Sequence, residues 1–241
     1  NAFMLACREG HKDVVQLLLN CSDINIELNT RDIQGVTALM LTCEIGNKDI
    51  VKLLLNQNID LNTTDNEGRT VLMGACRWGH KDIVELLLNC SNKNIDINAR
   101  SNNGYTGFLW ACYYGHKDIV QLLLNCSDKN IELNTRGNDG YTAFQLACYY
   151  GHTDIVELLL NCSDKNIDLN TRDNGGSTGF LWACRNGHKD VVQLLLNCSD
   201  KNIELNTRDN RGYTALQLAC SKRHSDVVTL LLANDNIDVL R

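Results

Sequence analysis

The sequence has 241 residues, 44% of them hydrophobic, with 12 cysteines and no proline. Its 23 basic and 29 acidic residues are interleaved and give a formal net charge of −6, which disfavours nucleic-acid binding because that requires clustered Lys and Arg. No apolar run approaches the ~18 residues of a membrane span. Charged residues such as Arg8 and Lys12 interrupt the N-terminal segment, so no signal peptide is expected.

One unit recurs along the whole chain. The threonines of a Gly-x-Thr motif fall at positions 37, 70, 106, 142, 178 and 214, with spacings of 33, 36, 36, 36 and 36 residues. A fixed period of this length predicts a repeat array in which each unit packs on its neighbours. We therefore expect one continuous domain, 1–241, with repeats at about 1–33 (partial), 34–66, 67–102, 103–138, 139–174, 175–210 and 211–241.

The unit at 103–138 shows the expected local structure. Thr106 is a good N-cap for a first helix that runs to Tyr114 and ends at Gly115. A second helix is predicted from about 117 to 125, and the Asn-, Asp- and Gly-rich remainder is typical of turns. Helices of about nine residues are too short to be stable alone in water, so stacking must stabilise them.

The two ends of the sequence differ from the repeat pattern. Asn1 occupies the threonine position, so the chain begins within a unit, and no clearly polar capping helix follows Leu232. Arrays need polar caps for solubility. The sequence alone leaves open whether this is a segment of a longer array.

The cysteines are periodic, which argues against disulfides. Equivalent positions in stacked helices lie roughly 8–10 Å apart, whereas a disulfide needs Cα atoms within about 7 Å. We expect reduced, packing thiols, consistent with a cytoplasmic location, and a nuclear location is left open. One set comprises Cys7, Cys43, Cys76, Cys112, Cys148, Cys184 and Cys220, and the other Cys21, Cys90, Cys126, Cys162 and Cys198.

No motif predicts catalysis, a metal site or a cofactor. One histidine per unit leaves neighbouring histidines too far apart to share a metal, and we expect them to form hydrogen bonds around the helix turn. The segment 175–179 resembles a phosphate loop but lacks its lysine and spacing. Because cysteines and histidines are copied in nearly every unit, no singular catalytic pair exists, and we expect no enzyme. The histidine column is His11, His80, His116, His152, His188 and His224.

The repeated markers resemble those of ankyrin repeats. The segment 209–216, Asp-Asn-Arg-Gly-Tyr-Thr-Ala-Leu, and the segment 151–160, from Gly-His to Leu, fit the family pattern of a D-x-x-G-x-T finger, a T-P-L-H-x-A-A-x-x-G-H first helix and a second helix ending in Leu-Leu-Leu. The resemblance covers the whole chain. It implies an all-α repeat protein, an ankyrin-repeat solenoid of about seven repeats built from helix-turn-helix pairs and β-turn fingers.

Two positions depart from the family pattern. Its proline is replaced by Ala38, Val71, Gly107, Ala143, Gly179 or Ala215, and its histidine by Met40, Met73, Leu109, Gln145, Leu181 or Gln217. We therefore expect apolar packing to replace part of the usual Thr–His hydrogen-bond network.

Internal comparison indicates where function lies. Segments 106–141 and 178–213 differ at five of 36 positions, and four of these differences fall on the end of the first helix and on the finger. In ankyrin proteins those positions line the concave face and touch the partner. Collected across units, the candidate partner-binding residues are Arg69, Arg77, Trp78, Tyr105, Tyr113, Tyr114, Asp139, Tyr141, Tyr149, Tyr150, Arg185, Asn186, Arg211, Tyr213, Ser221 and Lys222. An alternative for Tyr105, Tyr141 and Tyr213 is that they brace adjacent fingers; Trp110 and Trp182 are expected at the core or groove edge.

The favoured function is capture of a protein or peptide on this face, centred on the aromatic repeats 3–5, because Trp, Tyr and Arg anchor protein interfaces. No nucleic acid, membrane or small-molecule substrate is expected. Heavy use of Asn, Ile, Lys and Tyr without proline suits an A/T-rich genome and makes a host protein a candidate partner. Two alternatives are a structural spacer or scaffold within a longer array, and the targeting arm of an enzyme whose catalytic domain lies elsewhere.

Overall fold

The computed structural model describes residues 1–21, 26–90, 94–126, 130–162 and 166–239. Within these ranges the chain forms fourteen α-helices in consecutive pairs and no β-strand. The predicted all-α repeat class is confirmed.

Each pair has a first and a second helix. The first helices are α1 (Ala2–Arg8), α3 (Ala38–Ile45), α5 (Val71–Trp78), α7 (Gly107–Tyr114), α9 (Ala143–Tyr150), α11 (Gly179–Asn186) and α13 (Ala215–Ser221). The second helices are α2 (Lys12–Asn20), α4 (Lys48–Leu55), α6 (Lys81–Leu88), α8 (Lys117–Leu124), α10 (Thr153–Asn161), α12 (Lys189–Asn197) and α14 (Ser225–Leu232). A short 3-10 helix, Ser199–Lys201, follows α12.

The chain divides into two compact units, an N-terminal unit (Asn1–Ile131) and a C-terminal unit (Glu132–Arg241). Within each unit, first helices pack on neighbouring first helices, and second helices on neighbouring second helices. A second helix such as α8 buries Ile119, Val120, Leu123 and Leu124, while Leu122 is half-buried. These apolar faces form the core between successive repeats.

The two ends of α7 carry the capping residues that the sequence predicts. Thr106 accepts a hydrogen bond from the amide of Leu109 at 3.3 Å and so caps α7. Gly115 ends that helix in the left-handed conformation, with φ 79°. Both predictions made from the unit at 103–138 are confirmed.

The histidine column joins one repeat to the next. His80 Nε2 lies 2.9 Å from the carbonyl oxygen of Glu44, and His116 Nε2 lies 3.0 Å from that of Arg77. Because a carbonyl can only accept, Nε2 carries the proton at these positions. The histidines therefore bond the end of the preceding repeat's first helix, a longer-range role than bonding around their own turn.

Gln145 retains the bonding role that the family pattern gives to histidine. Its Oε1 accepts from the amide of Thr142 at 3.0 Å, and its Nε2 donates to the carbonyl of Ser177 at 2.8 Å. Apolar packing does replace the network at Leu109 and Leu181, which are buried. Apolar packing thus replaces part of the network, as expected, while Gln145 retains its hydrogen bonds.

Asparagines link the loops of successive repeats. In the N-terminal unit, Asn62 Nδ2 donates to the carbonyl of Asn94 at 2.7 Å, and its Oδ1 accepts from the amide of Asp96 at 2.8 Å. In the C-terminal unit, Asn170 makes the equivalent bonds to Asn202 and Glu204, each at 2.9 Å. These two-sided amide contacts give the asparagine-rich loops a structural function that the sequence did not indicate.

The cysteines of the first helices are packing groups. Cys43, Cys76, Cys112, Cys148 and Cys184 are all fully buried, and all twelve cysteines are free thiols. Burial raises the pKa of these five thiols well above the ordinary range, and that of Cys7 to about 11. Cys220, at the same position of the last described repeat, is exposed because no further first helix lies over it among the described residues.

Because the buried thiols have a raised pKa, we expect the protein to lose stability at alkaline pH. In the unfolded chain they lose protons from about pH 8.5, while in the folded chain they keep them, so the unfolded state binds fewer protons and stability falls as pH rises. At pH 9.5 each protected thiol should lower the free energy of unfolding by about 1 kcal/mol. Denaturant unfolding at pH 7.0, 8.5 and 9.5 measures this.

The matched variant is Cys76→Ala, which should reduce the pH dependence by one thiol's share. A free energy of unfolding that is equal at pH 7.0 and 9.5 would contradict the prediction.

Candidate functional site

Two aromatic clusters occupy the ends of the first helices and the adjoining finger turns, a region we call the first-helix surface. One lies in the N-terminal unit and surrounds Trp110; the other lies in the C-terminal unit and surrounds Trp182. The Trp110 cluster consists of Arg77, Trp78, Tyr105, Trp110, Tyr113 and Tyr114. The Trp182 cluster consists of Tyr141, Tyr149, Tyr150, Trp182, Arg185 and Asn186.

Rings on consecutive turns of α7 build the Trp110 cluster. Trp110 and Tyr114 are one helical turn apart and stack with ring centroids 5.9 Å apart. The ring centroid of Tyr105, in the finger, lies 4.8 Å from that of Trp110, and the ring centroid of Tyr113 lies 5.7 Å from it. Tilted and edge-on arrangements at these distances are favourable because the positive edge of one ring meets the negative face of another.

Arg77 covers this cluster from the preceding repeat. Its guanidinium carbon lies 5.5 Å from the ring centroid of Trp78, 5.2 Å from that of Trp110 and 5.8 Å from that of Tyr114. A guanidinium over aromatic faces is a cation–π arrangement. The cluster therefore already contains its own cation.

The Trp182 cluster repeats the pattern with the arginine and tyrosine exchanged. Trp182 packs 4.8 Å from Tyr149 of the preceding repeat, at the position that corresponds to Arg77. Arg185, at the position that corresponds to Tyr113, lies 5.0 Å above the Trp182 ring. The ring centroid of Tyr141 lies 5.8 Å from that of Trp182. Burial, and next the negative charge of Asp173, raise the pKa of the Tyr141 hydroxyl.

A finger aspartate completes the Trp182 cluster. The indole N–H of Trp182 donates to Oδ2 of the buried Asp173 at 2.7 Å. The other oxygen, Oδ1, accepts from the amides of Gly175 and Ser177, at 2.9 and 2.8 Å. This carboxylate thus fixes the finger and the indole together.

The Trp110 cluster lacks that carboxylate. Ser101 stands at the corresponding position, and its hydroxyl lies 2.5 Å from Asn103 Oδ1 and 2.9 Å from the carbonyl oxygen of Tyr105. The indole N–H of Trp110 is buried without an acceptor among the described residues, as is Nε of Arg77. A buried donor without a partner costs about 1–3 kcal/mol.

A family model for ankyrin repeats (three copies) matches residues 3–101, 93–173 and 165–241. The chain belongs to the ankyrin-repeat family. The resemblance seen in the sequence is confirmed, and with it the ankyrin fold class. The comparison with curated proteins returned no match.

Other types of site are not found in the described part of this ankyrin chain. No helix there is both long enough and apolar enough to span a membrane. Nor do those residues contain a group of three or more His, Cys, Asp or Glu side chains placed to hold a metal ion.

The predicted partner-binding residues differ widely in exposure. Trp78, Tyr114 and Tyr150 are 54%, 41% and 37% exposed and present ring surface to solvent. The exposed residues of this set also include Asp139, Arg211, Tyr213, Ser221 and Lys222. Arg77, Tyr113, Tyr141, Tyr149, Arg185 and Asn186 are half-buried beneath or beside them.

Several predicted residues are engaged inside the protein. Tyr105 is only 4% exposed and packs against Trp110, so it braces the finger and offers almost no contact surface. Arg69 forms ion pairs with Asp65 at 2.7 Å and Glu67 at 3.0 Å. Both side chains are therefore engaged in contacts within their own repeat.

Asn186 and Ser221 also bond within their own unit. Asn186 donates to the carbonyl of Tyr149 at 2.8 Å, and Ser221 donates to that of Leu218 at 2.8 Å. The sequence predicts Trp110 and Trp182 as core or groove-edge residues. Trp110 is buried and Trp182 is half-buried, and each organises its cluster. Their 72-residue spacing in the sequence is the signal for this shared role.

The comparison of the Trp110 and Trp182 clusters predicts that exchanging Asp and Ser in the finger has opposite effects on stability in the two clusters. Ser101→Asp should raise the free energy of unfolding by about 1 kcal/mol, because the new carboxylate gives the Trp110 N–H an acceptor. Asp173→Ser should lower it by about 2 kcal/mol, because the Trp182 N–H and two finger amides lose theirs. Urea unfolding of the full chain measures both.

Asp209→Ser is the matched control. Asp209 accepts from the amides of Arg211 and Tyr213, both at 2.9 Å, but the position corresponding to Trp182 is Leu218. Asp209→Ser should therefore lower the free energy of unfolding by less than Asp173→Ser does, and the difference is the contribution of the indole hydrogen bond. Equal costs for the two substitutions would show that this bond contributes nothing.

Proposed function

We propose that this chain is a protein-binding module that captures a protein or peptide segment on the first-helix surface of repeats 3–5. Ankyrin repeats are in general protein–protein interaction modules. The finer proposal rests on one observation above all: large aromatic side chains stand exposed at the tips of two packed clusters.

The exposed rings have the properties of interface anchors. Trp78, Tyr114 and Tyr150 combine apolar ring area with a polar atom, and residues of these types dominate binding energies at protein interfaces. Tyr114 stacks on Trp110, and Tyr150 lies 4.7 Å from Tyr149. Because their neighbours already restrict these rings, a partner would bind them with a smaller loss of conformational entropy.

The chemistry of the other reactive groups supports binding over catalysis, and we propose that the chain is not itself an enzyme. The thiols of Cys76, Cys112 and Cys148 are buried, and their raised pKa keeps them protonated, whereas a nucleophilic cysteine needs an accessible thiolate. His116 and His188 each place Nε2 against a backbone carbonyl of the neighbouring repeat.

Twelve free thiols favour a reducing compartment. We therefore propose a cytoplasmic location, with capture of a host protein as one form of the function.

The test compares two triple variants of the full chain. Trp78→Ala/Tyr114→Ala/Tyr150→Ala removes the exposed rings and should abolish capture of proteins from lysates of candidate host cells. The captured proteins are identified by mass spectrometry, and one is purified for calorimetric titration. Affinity for that protein should fall at least about 100-fold, since two or three anchors worth ~2 kcal/mol each are removed.

The matched control is Lys117→Ala/Asp118→Ala/Lys189→Ala, which changes exposed residues at the starts of the second helices. It should bind like the parent chain. Melting temperatures of all three proteins check folding. Tyr113 and Tyr149 are poorer targets because their rings pack against the two tryptophans. Equal affinity of the parent and the ring-stripped variant would refute the proposal and favour a spacer.

A further inference from the structure

Two buried donors of the Trp110 cluster point to a ligand atom. Trp110 is 8% exposed, and its indole N–H has no acceptor among the described residues. Nε of Arg77 is in the same state, and the guanidinium carbon of Arg77 lies 5.2 Å from the Trp110 ring. Buried polar groups in native proteins are nearly always hydrogen-bonded. Two unsatisfied donors in one cluster therefore mark a place where an acceptor is missing.

The other copy shows which chemistry fills such a place. There the indole N–H of Trp182 donates to the carboxylate of Asp173 at 2.7 Å, with Arg185 over the same ring. Indole, guanidinium and tyrosine occur in both clusters, with the arginine and tyrosine positions exchanged, whereas among the described residues only the Trp182 indole has a carboxylate acceptor. Asp173 and Ser101 are 72 residues apart, the period that relates the two copies.

The charges around Trp110 favour an anionic ligand. Arg77 already lies over the rings of Trp78, Trp110 and Tyr114, so a cationic ligand would meet a like charge. Arg69 is neutralised by Asp65 and Glu67, whereas Arg77 has no ion pair within 4 Å among the described residues. Glu44 is close enough for Arg77 to influence its pKa, yet it does not bond to Arg77.

We infer that the Trp110 cluster is a carboxylate-binding subsite, which takes an aspartate or glutamate side chain of the protein partner. The carboxylate accepts from the indole N–H of Trp110 and from the Arg77 guanidinium, and so supplies the group that Asp173 supplies in the other copy. Tyr114, which stacks on Trp110 and is partly exposed, turns aside to admit it. The inference rests on the proposed function and names the chemistry of its partner.

The first experiment uses two fluorescein-labelled nonapeptide mixtures with identical randomised flanks and blocked ends, one with Glu and one with Gln at the centre. Both are passed over the immobilised full chain, and the retained amounts are compared. The parent chain should retain the Glu mixture about tenfold over the Gln mixture, since a charge-assisted hydrogen bond is roughly twice as strong as a neutral one.

Two variants locate the preference. Ser101→Asp places an internal carboxylate at the subsite and should reduce the Glu-to-Gln ratio to about one, with the melting temperature retained or raised. Arg77→Gln should reduce the ratio as well. The matched control, Lys117→Ala, should leave it unchanged.

The second experiment observes the indole directly. Labelling the chain with ¹⁵N-tryptophan gives indole N–H signals for Trp78, Trp110 and Trp182, which Trp→Phe variants assign. A nonapeptide sequenced from the retained Glu mixture should move the Trp110 signal downfield. Ser101→Asp should do so without any peptide.

The outcomes separate this inference from the proposed function. Equal retention of the two mixtures by the parent chain overturns the carboxylate subsite, and so does a peptide that moves only the Trp78 or Trp182 signal. In either case, lysate capture that depends on Tyr114 and Tyr150 would still uphold the binding function. Loss of both the Glu preference and that capture overturns both.

Discussion

Within each of the two units, the structure depends on hydrogen bonds that one repeat makes to the next. Helices of seven to nine residues are too short to persist alone, and apolar burial between helices does not by itself fix how far one repeat slides along another. The bond from His116 to the carbonyl of Arg77 and the paired amide bonds of Asn62 and Asn170 fix that register. Because these donors and acceptors recur with the repeat period, neighbouring repeats within each unit are joined by the same kinds of bond.

A regular scaffold allows local differences to become informative. The finger aspartate holds its own turn in three ways at Asp173, through two backbone amides and one indole. At Ser101 the turn is held instead by contacts with Asn103 and Tyr105, and the tryptophan is left out. The exchange of Asp and Ser in the finger thus goes with a different hydrogen-bonding state of the neighbouring tryptophan.

The fold and its helix ends could be predicted from the sequence because they depend on local chemistry. Thr106 and Gly115 are legible as caps, and the period gives the stacking. The candidate surface could be predicted only in outline. Proximity in sequence did not show that Tyr105 is buried beneath Trp110, nor that the asparagines bond across repeats, since both depend on contacts between residues brought together by folding. The missing acceptor at Trp110 needed side-chain geometry as well.

The asparagine contacts also bear on how such a chain can change length. Each one joins a side-chain amide in one loop, which both donates and accepts, to backbone groups in the next, as Asn170 does with Asn202 and Glu204 and Asn206 does with Asn236 and Asp238. If one complete 36-residue block were excised, the loops on either side would present the same groups to each other. The asparagine side chains on one side of the excision would then meet equivalent backbone groups on the other side. Gain or loss of whole blocks therefore leaves no loop amide without a hydrogen-bond partner. A chain of this kind can be lengthened or shortened by recombination between its own near-identical copies while the bonding of its loops is preserved.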